Sequence, residues 1–158
     1  YEKALALRRS VYGEDHPEVA SALGNVGEIH EARGDLKKAL SFFTQAAAMK
    51  EKAVGPAHDE LGYWLAAQGR VEVALKRVPE GTRHLERATA ILEAAGADVE
   101  ALASARFELA RALWDGGGDR KRAWDLAERA RKGLSEAAVP GHSAEIEAWQ
   151  KGRAAPPR

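Results

Sequence analysis

The sequence predicts an all-α protein, an α/α superhelix of about eight antiparallel helices. Among its 158 residues, 33 are Ala and 15 are Leu, whereas Val, Ile and Thr together number 15. This balance favours helices over strands. Marker residues recur with a fixed 42-residue period, which is typical of a helical repeat. Within each period the apolar residues lie three and four positions apart, as one buried helix face requires.

Two sets of marker residues define the period. His16 and His58 are one period apart, and His142 follows two periods later. Gly34 and Gly118, each followed by Asp, are also separated by two periods. Because the histidine and glycine markers keep the same period, we expect them to belong to one repeating unit of two helices and a turn.

The period divides the chain into a predicted repeat array over residues 1–151 and a tail. The array opens within the second helix of a truncated unit and ends on a short capping helix, whose Ile146 and Trp149 are expected to cover the open end. The tail has no large apolar residue to anchor it and is expected to be disordered. The predicted boundaries are residues 1–12 for the truncated unit, 13–54, 55–96 and 97–138 for three full repeats, 139–151 for the capping helix and 152–158 for the disordered tail.

The first full repeat shows the pattern of both helices. Leu23 and Val26 lie on the buried face of the predicted first helix, Gly34 interrupts the chain, and Ala39 and Phe43 lie on the buried face of the second helix. The third repeat has the same spacing. Phe107 and Ala110 lie on the buried face of its first helix, and the smaller residues Ala123, Ala127 and Ala130 lie on that of its second helix.

The middle repeat admits two registers. Residues 67–75 resemble the turn at Gly34 at a 35-residue offset, but that register would leave only about ten residues for the preceding helix. Keeping the 42-residue period gives one helix over residues 59–77 and another that opens at Val78 and Pro79, where Pro is tolerated. We adopt this register. Three glycines then fall inside the helices, namely Gly62, Gly69 and Gly81. Each costs about 1 kcal/mol relative to Ala, so we expect this repeat to be the least stable.

Charge and cysteine content exclude several classes of protein. The 24 Lys and Arg balance 24 Asp and Glu, so the chain is not a polybasic nucleic-acid binder. It has no Cys, and therefore no thiolate metal ligand or Cys nucleophile. Residues 41–49, an uncharged stretch with two Phe, are far fewer than the roughly 18 apolar residues that a membrane span needs. We predict a cytoplasmic protein with neither nucleic acid nor a membrane as its partner.

The sequence contains no arrangement typical of a catalytic, cofactor or metal site. The glycines at residues 116–118 lack the Lys-Ser/Thr end of a phosphate loop and predict a turn between helices. After His30 and Glu31, Gly34 stands where a zinc-protease helix has its second His. The periodic histidines are expected to cap the helices that follow them. We therefore predict a segment that is not an enzyme and that holds no cofactor and no metal.

Two other patterns favour a structural interpretation. Basic residues between Arg120 and Lys132 alternate with acidic ones and accompany a single aromatic residue, which favours a solvated face with ion pairs over a nucleic-acid site. Four tryptophans at helical spacing favour packing between helices over a ligand cage, namely Trp64, Trp114, Trp124 and Trp149.

Two segments of the first full repeat resemble the pattern of the tetratricopeptide repeat, which is Trp-x2-Leu-Gly-x2-Tyr followed by Ala-x3-Phe. Residues 23–30 read Leu-x2-Val-Gly-x2-His, and residues 39–43 read Ala-x3-Phe. The 42-residue period and the Gly-x2-His-Pro linker at residues 13–17 are similar to the longer, kinesin-light-chain-type repeats in particular. The resemblance implies a non-catalytic scaffold. Its concave face, lined by the first helix of each pair, is expected to bind a protein or peptide or another domain of the same chain.

Residues 105–114 and the Ala- and Arg-rich helix after them are similar to the tails of some bacterial serine/threonine protein kinases. This resemblance implies an alternative: a C-terminal regulatory or substrate-docking region of a larger bacterial signalling enzyme, with a kinase domain upstream. The segment itself carries none of the glycine-rich loop, catalytic-loop or Asp-Phe-Gly signatures of a kinase.

The predicted partner-binding residues lie one step from the buried face of each first helix, namely Asn25, Glu28, Tyr63, Arg70 and Glu108. Kinesin-light-chain-type repeats commonly present Asn at the position of Asn25, and an Asn amide both donates to and accepts from an extended peptide backbone. Tyr and Arg are frequent interface anchors. Ala67 and Leu109 occupy the positions equivalent to Asn25, so the Asn appears only once.

Overall fold

The computed structural model describes residues 2–13, 16–137 and 142–156. These residues form helices joined by short turns and contain no strand, which confirms the predicted all-α superhelix. The helices are α1 (Glu2–Tyr12), α2 (Pro17–Ala32), α3 (Leu36–Val54), α4 (Asp59–Ala74), α5 (Val78–Ala94), α6 (Val99–Asp115), α7 (Arg120–Glu136) and α8 (His142–Lys151). Each helix packs on the next one in the chain, and the closest pairs are α2 with α3, α4 with α5 and α6 with α7.

The turns between paired helices follow the 42-residue period. Gly34 has a φ of 78°, and Lys76, one period later, has a φ of 66° although it is not a glycine. The 42-residue register therefore describes the middle repeat, and α4 runs through Gly69 rather than turning there. The predicted turn at residues 116–118 is present between α6 and α7, with Gly117 at a φ of 73°. The repeat and tail boundaries remain predictions.

Two glycines in the middle repeat lie where α4 and α5 approach closely. A Cβ added to Gly69 would lie 2.8 Å from the carbonyl oxygen of Gly81, and a Cβ on Gly81 would lie 2.6 Å from that of Gly69. Helix propensity alone predicted that these glycines weaken the repeat. The structure gives each of them a packing reason that propensity does not include.

The apolar core consists of two large clusters and a narrow junction. The first cluster surrounds Phe43 and Trp64, and the second surrounds Phe107 and Trp149. The junction between them consists of three buried residues, Leu85, Leu109 and Ala112. A continuous but locally thin core is what stacked helix pairs produce, because each pair contacts only its neighbours.

Side chains at the start of the first helices satisfy the exposed backbone N–H groups. His16 Nδ1 accepts from the N–H of Glu18 at 3.2 Å, and His58 Nδ1 accepts from that of Glu60 at 3.3 Å, as predicted. The side chain of His142 lies outside the described residues. The period places the next cap at residue 100, but Asp98 takes this role and accepts from the N–H of Ala101 at 2.9 Å.

The C-terminal helix covers the end of the second cluster. Ile146 and Trp149 of α8 are buried, as expected of a capping helix. Trp149 also contacts Trp114 edge-on, with 5.5 Å between ring centroids. Arg153, predicted to lie in a disordered tail, places its guanidinium 4.4 Å from the Trp149 ring centroid and 3.3 Å from Asp115 Oδ1. Residues 157–158 of the predicted tail lie outside the described residues.

Trp64 and the basic stretch of α7 have the predicted structural roles. Trp64 lies against Gly24 of α2 and the Phe43 ring of α3, with 6.3 Å between the two ring centroids, so it packs between helices. The basic residues of α7 form ion pairs, such as that of Arg122 Nη1 with Glu86 Oε1 of α5 at 2.6 Å. These contacts are those of a solvated helix face rather than of a ligand site.

Candidate functional site

Three neighbouring cavities follow the first helices α2, α4 and α6, and together they form what we call the groove. The first, of about 410 Å³, lies beside Asn25 and Glu28; the second, of about 360 Å³, lies beside Arg70; and the third, of about 130 Å³, lies beside Glu108. The first and second share Tyr63 and three further lining residues, and the second and third share two. The three cavities therefore adjoin one another along α2, α4 and α6.

Tyr63 stands between the first two cavities and is held from two sides. Its hydroxyl donates to Glu28 Oε1 at 2.5 Å, and its ring meets Trp64 edge-on, with 4.7 Å between ring centroids. Burial and the neighbouring Glu28 carboxylate raise the pKa of Tyr63 to about 12. Tyr63 is 43% exposed, so it presents an aromatic surface in a fixed orientation.

Arg70 links two successive first helices. Its Nε donates to Glu31 Oε1 at 2.8 Å and its Nη2 donates to Glu31 Oε2 at 2.7 Å, which is the bidentate geometry of a strong pair. This hydrogen bonding raises the pKa of Arg70 further. The sequence analysis predicted Arg70 and missed Glu31. A signal was present, because the two residues are 39 apart, one helical turn less than the repeat period.

Glu108 is a half-buried carboxylate at the third cavity. Its Oε1 lies 3.5 Å from Arg111 Nη1 of the next helical turn. Burial raises the pKa of Glu108, while the positive charges of Arg111 and Arg70 oppose that rise. The negative charge at this end of the groove is therefore poorly solvated.

The structure distributes the predicted residues along the three cavities rather than bringing them together at one point. Asn25, Glu28 and Tyr63 line the first cavity, Tyr63 and Arg70 line the second, and Glu108 lines the third. The two positions equivalent to Asn25 differ from it. Ala67 and Leu109 are buried, and Leu109 belongs to the core junction, so neither presents a polar group as Asn25 does.

Lys50 is a supporting residue that the sequence analysis missed. It is 1% exposed, and its Nζ donates to Glu60 Oε2 at 2.9 Å, to Ser21 Oγ at 3.0 Å and to the Pro17 carbonyl at 3.2 Å. These bonds fix a wall of the first cavity. The signal was positional, because Lys50 follows Phe43 by two helical turns and so falls on the buried face of α3.

No group of three His, Cys, Asp or Glu within residues 2–13, 16–137 and 142–156 could hold a metal ion. Over the same residues, no helix is both long enough and apolar enough to cross a membrane.

Comparisons with known proteins agree with this architecture. Residues 1–52 match the family model described as tetratricopeptide repeat. No curated protein sequence matches the chain.

Several solved structures share the fold. The kinesin light chain TPR-like repeats of Podosopora anserina are 22% identical over 85% of this chain and 64% of that chain, with a TM-score of 0.69. BtubC (BKLC) of P. vanneervenii is 20% identical over 100% of this chain and 58% of that chain, with a TM-score of 0.74. The N-terminal domain of stress-induced protein-1 of C. elegans is 19% identical over 85% of this chain and 96% of that chain, with a TM-score of 0.60.

The chain spans less than two thirds of the length of the first two of these proteins. At these identities the likeness concerns the fold, and at that level the predicted similarity to kinesin-light-chain-type repeats is confirmed. Residues 1–52 are therefore similar to the tetratricopeptide repeat, and the chain as a whole shares the helical-repeat fold of these solved structures.

Proposed function

We propose that this chain is a non-catalytic scaffold that binds a protein or peptide in the groove along α2, α4 and α6. Tetratricopeptide repeats are protein-interaction modules and are generally non-catalytic, which supports the coarser part of this proposal. The observation that carries the finer part is the row of three adjoining cavities from Asn25 to Glu108, in which neighbouring cavities share walls. A row of adjoining cavities along one face suits an extended segment.

Bonds between successive first helices support the groove as a binding surface. The pairs Tyr63 with Glu28 and Arg70 with Glu31 each join α2 to α4. Because these pairs tie the two helices together in the free protein, a partner would find the groove already shaped. Preorganisation of this kind reduces the entropy lost on binding.

The side chains of the first cavity suit a peptide. Asn25 can both donate to and accept from a peptide backbone, and it lines the cavity beside the half-exposed ring of Tyr63. An aromatic anchor next to an amide provides apolar contact area together with directional hydrogen bonds.

The predicted partner remains a protein or peptide, or another domain of the same protein, in the cytoplasm. The alternative of a docking region in a bacterial kinase rests on the resemblance of residues 105–114 and remains a prediction, since the comparisons concern the helical repeats. A genomic sequence that encodes a kinase domain in the same reading frame would support the alternative.

A random peptide library displayed on phage tests the proposal. Selected peptides should bind with affinities that fall about tenfold for Tyr63→Ala and less for Asn25→Ala, Arg70→Ala and Glu108→Ala. Lys121→Ala, an exposed change on α7, is the matched control and should leave the affinity unchanged. If every selected peptide bound all four groove variants as tightly as the parent, with folding verified by circular dichroism, the groove would not be the binding surface.

A further inference from the structure

The charged residues that line the groove are mostly acidic, although the chain has no net charge. Arg70 is the one basic residue among those that line its three cavities in the described part of the chain. The acidic lining residues are Glu28, Asp59, Glu60, Asp98, Glu100, Glu108 and Glu145. The cavity between α5 and α7 is lined by both signs instead, with Glu86 and Asp125 beside Lys121 and Arg129. The excess of negative charge is therefore a property of the groove and not of the whole surface.

Internal cations balance only part of this charge. Arg70 is engaged with Glu31, Lys50 is bonded to Glu60, and Arg111 lies 3.5 Å from Glu108. Each of these pairs includes one lining residue, namely Arg70, Glu60 or Glu108. None of them involves Glu28 or Asp98, which have other partners.

Glu28 and Asp98 are held by neutral donors. Glu28 accepts from the hydroxyl of Tyr63, and Asp98 accepts from the backbone N–H of Ala101. A neutral donor fixes the orientation of a carboxylate without cancelling its charge. Both carboxylates line the first cavity together with Tyr63, so the aromatic surface is flanked by negative charges.

We propose that the groove binds an extended segment of a partner protein that is rich in Lys and Arg, with a cationic side chain placed against Tyr63 between Glu28 and Asp98. This inference rests on the proposed function. An aromatic face attracts a cation through its quadrupole, and the adjacent carboxylates add Coulomb attraction and hydrogen-bond acceptors. Complementary charge also steers the encounter and selects against acidic partners.

The third cavity favours the same class of ligand. Glu108 is half-buried there, and burial raises its pKa because few solvent molecules stabilise its charge. A ligand cation beside Glu108 would supply the stabilisation that water does not. Asp98 lines the first two cavities and Glu100 lines the second and third, so a segment with several cations would meet carboxylates along the groove.

The same phage-displayed library tests this inference. Selected peptides should be enriched in Lys and Arg, and their binding should weaken as salt is added, because ions screen exposed charges over about 10 Å at 0.1 M. Replacing the Lys and Arg of a selected peptide by Gln should weaken its binding about tenfold or more.

The matched protein variants carry three charge removals each. The groove variant combines Glu28→Gln, Asp98→Asn and Glu100→Gln, and it should lower the affinity for a selected peptide about tenfold. Asn at position 98 can still accept the backbone N–H at the start of α6, so the helix cap is kept. The control set lies at the cavity between α5 and α7, namely Glu86→Gln, Asp119→Asn and Asp125→Asn. It changes the net charge equally and should have little effect.

The outcomes separate the two proposals. Selected peptides that are neutral or acidic, but still lose affinity with Tyr63→Ala, would overturn the basic-segment inference and leave the proposed function intact. Equal losses with the two triple variants would also overturn it, since binding would then follow net charge alone. Selected peptides that ignore Tyr63→Ala and the other groove variants would overturn both proposals.

Discussion

The importance of a single residue here depends on what faces it across a helix pair. Gly69 faces the backbone of Gly81, Tyr63 faces Glu28, and Glu108 is half-buried within its surroundings. In the first two cases the neighbour belongs to another helix, and in the third the decisive neighbour is the solvent that burial has excluded. Substitution at these positions therefore tests packing and electrostatics more than helix propensity.

We expect Gly69→Ala to destabilise the protein although Ala is the better helix former. A Cβ there would lie 2.8 Å from both the Gly81 carbonyl oxygen and Leu85 Cγ. Overpacking of this kind costs about 1–3 kcal/mol, against a propensity gain of about 1 kcal/mol. The measurement is the free energy of unfolding in urea. Gly133→Ala in α7 is the control, since its Cβ would meet only Val99 Cγ1 at 3.6 Å, and it should stabilise by up to about 1 kcal/mol. Equal effects of the two changes would contradict the packing argument.

Ionisation of Tyr63 should destabilise the fold at high pH. Its folded pKa of about 12 exceeds the ordinary value of 10.0, so the folded state holds the proton more tightly than the unfolded state. This contribution to stability is complete below about pH 10 and is lost as the pH rises towards 12. The ultraviolet absorbance of tyrosinate, compared between the parent and Tyr63→Phe, should show the missing ionisation near pH 12. A difference centred near pH 10 would contradict the burial of the hydroxyl.

The free energy of unfolding of Glu108→Gln, measured relative to that of the parent, should increase as the pH rises. Since burial raises the folded pKa of Glu108 above its ordinary value of 4.5, the folded state binds the proton more tightly. The parent therefore loses stability relative to Glu108→Gln as the pH rises through the window above 4.5, and the two differ least at low pH. Urea unfolding of both proteins at about pH 4 and pH 7 measures this change. A parent that gained stability relative to the variant over that range would contradict the assigned direction.

At the scale of helices, caps and end helices decide where each element begins and which face it covers. The caps His16, His58 and Asp98 have different chemistry but the same function, which is to accept a backbone N–H at the first turn. The residue type can differ from one repeat to the next, because a cap requires only a side-chain acceptor within hydrogen-bond distance of a backbone N–H in the first turn. Helix α8 has a different role, since its Ile146 and Trp149 cover an apolar face of the second cluster.

Trp149→Ala should remove most of the stability that α8 contributes to the fold. Trp149 is 9% exposed and contacts Phe107, Trp114 and Trp124. Large-to-small changes of buried aromatic residues cost about 3–5 kcal/mol, so the thermal transition should fall markedly and exposed apolar surface should bind a hydrophobic dye. Lys151→Ala, an exposed change in the same helix, is the control. Unchanged unfolding of Trp149→Ala would show that α8 does not cap the array.

At the scale of the whole molecule, the repeats share one core that narrows at Leu85, Leu109 and Ala112. Cooperative unfolding of a stacked array depends on contacts between neighbouring units. The thin junction therefore controls whether the first and second clusters unfold together.

Leu109→Ala should separate the unfolding of the two clusters. Leu109 is 1% exposed at the junction, and a buried Leu→Ala change costs about 2–5 kcal/mol. Three of the four tryptophans pack in the second cluster, so their fluorescence reports mainly that part, whereas circular dichroism reports all helices. The urea transitions followed by fluorescence and by circular dichroism should cease to coincide. The slope of the free energy of unfolding against urea concentration should also fall. A single coincident transition with the parent slope would contradict a limiting role for the junction.

The sequence by itself determined the helices, their period and most of their buried faces. Apolar residues three and four positions apart, such as Leu23 and Val26, determine which side of a helix is buried. Gly34 determines the position of a turn. The capping role of His16 and His58 was predictable for the same reason, because a cap acts on the two or three residues that follow it. These effects are local, so spacing within one helix is enough to predict them.

Only the tertiary structure decided which residues of different helices meet. The pair of Arg70 with Glu31, the close approach of Gly69 to Gly81 and the burial of Lys50 against Glu60 depend on how one helix rotates on the next. The acidic groove arises in the same way, from residues that lie in different repeats and share a surface only after stacking. The period gives their separation along the chain, whereas the geometry of side-chain packing sets the rotation between helices, which no single helix encodes.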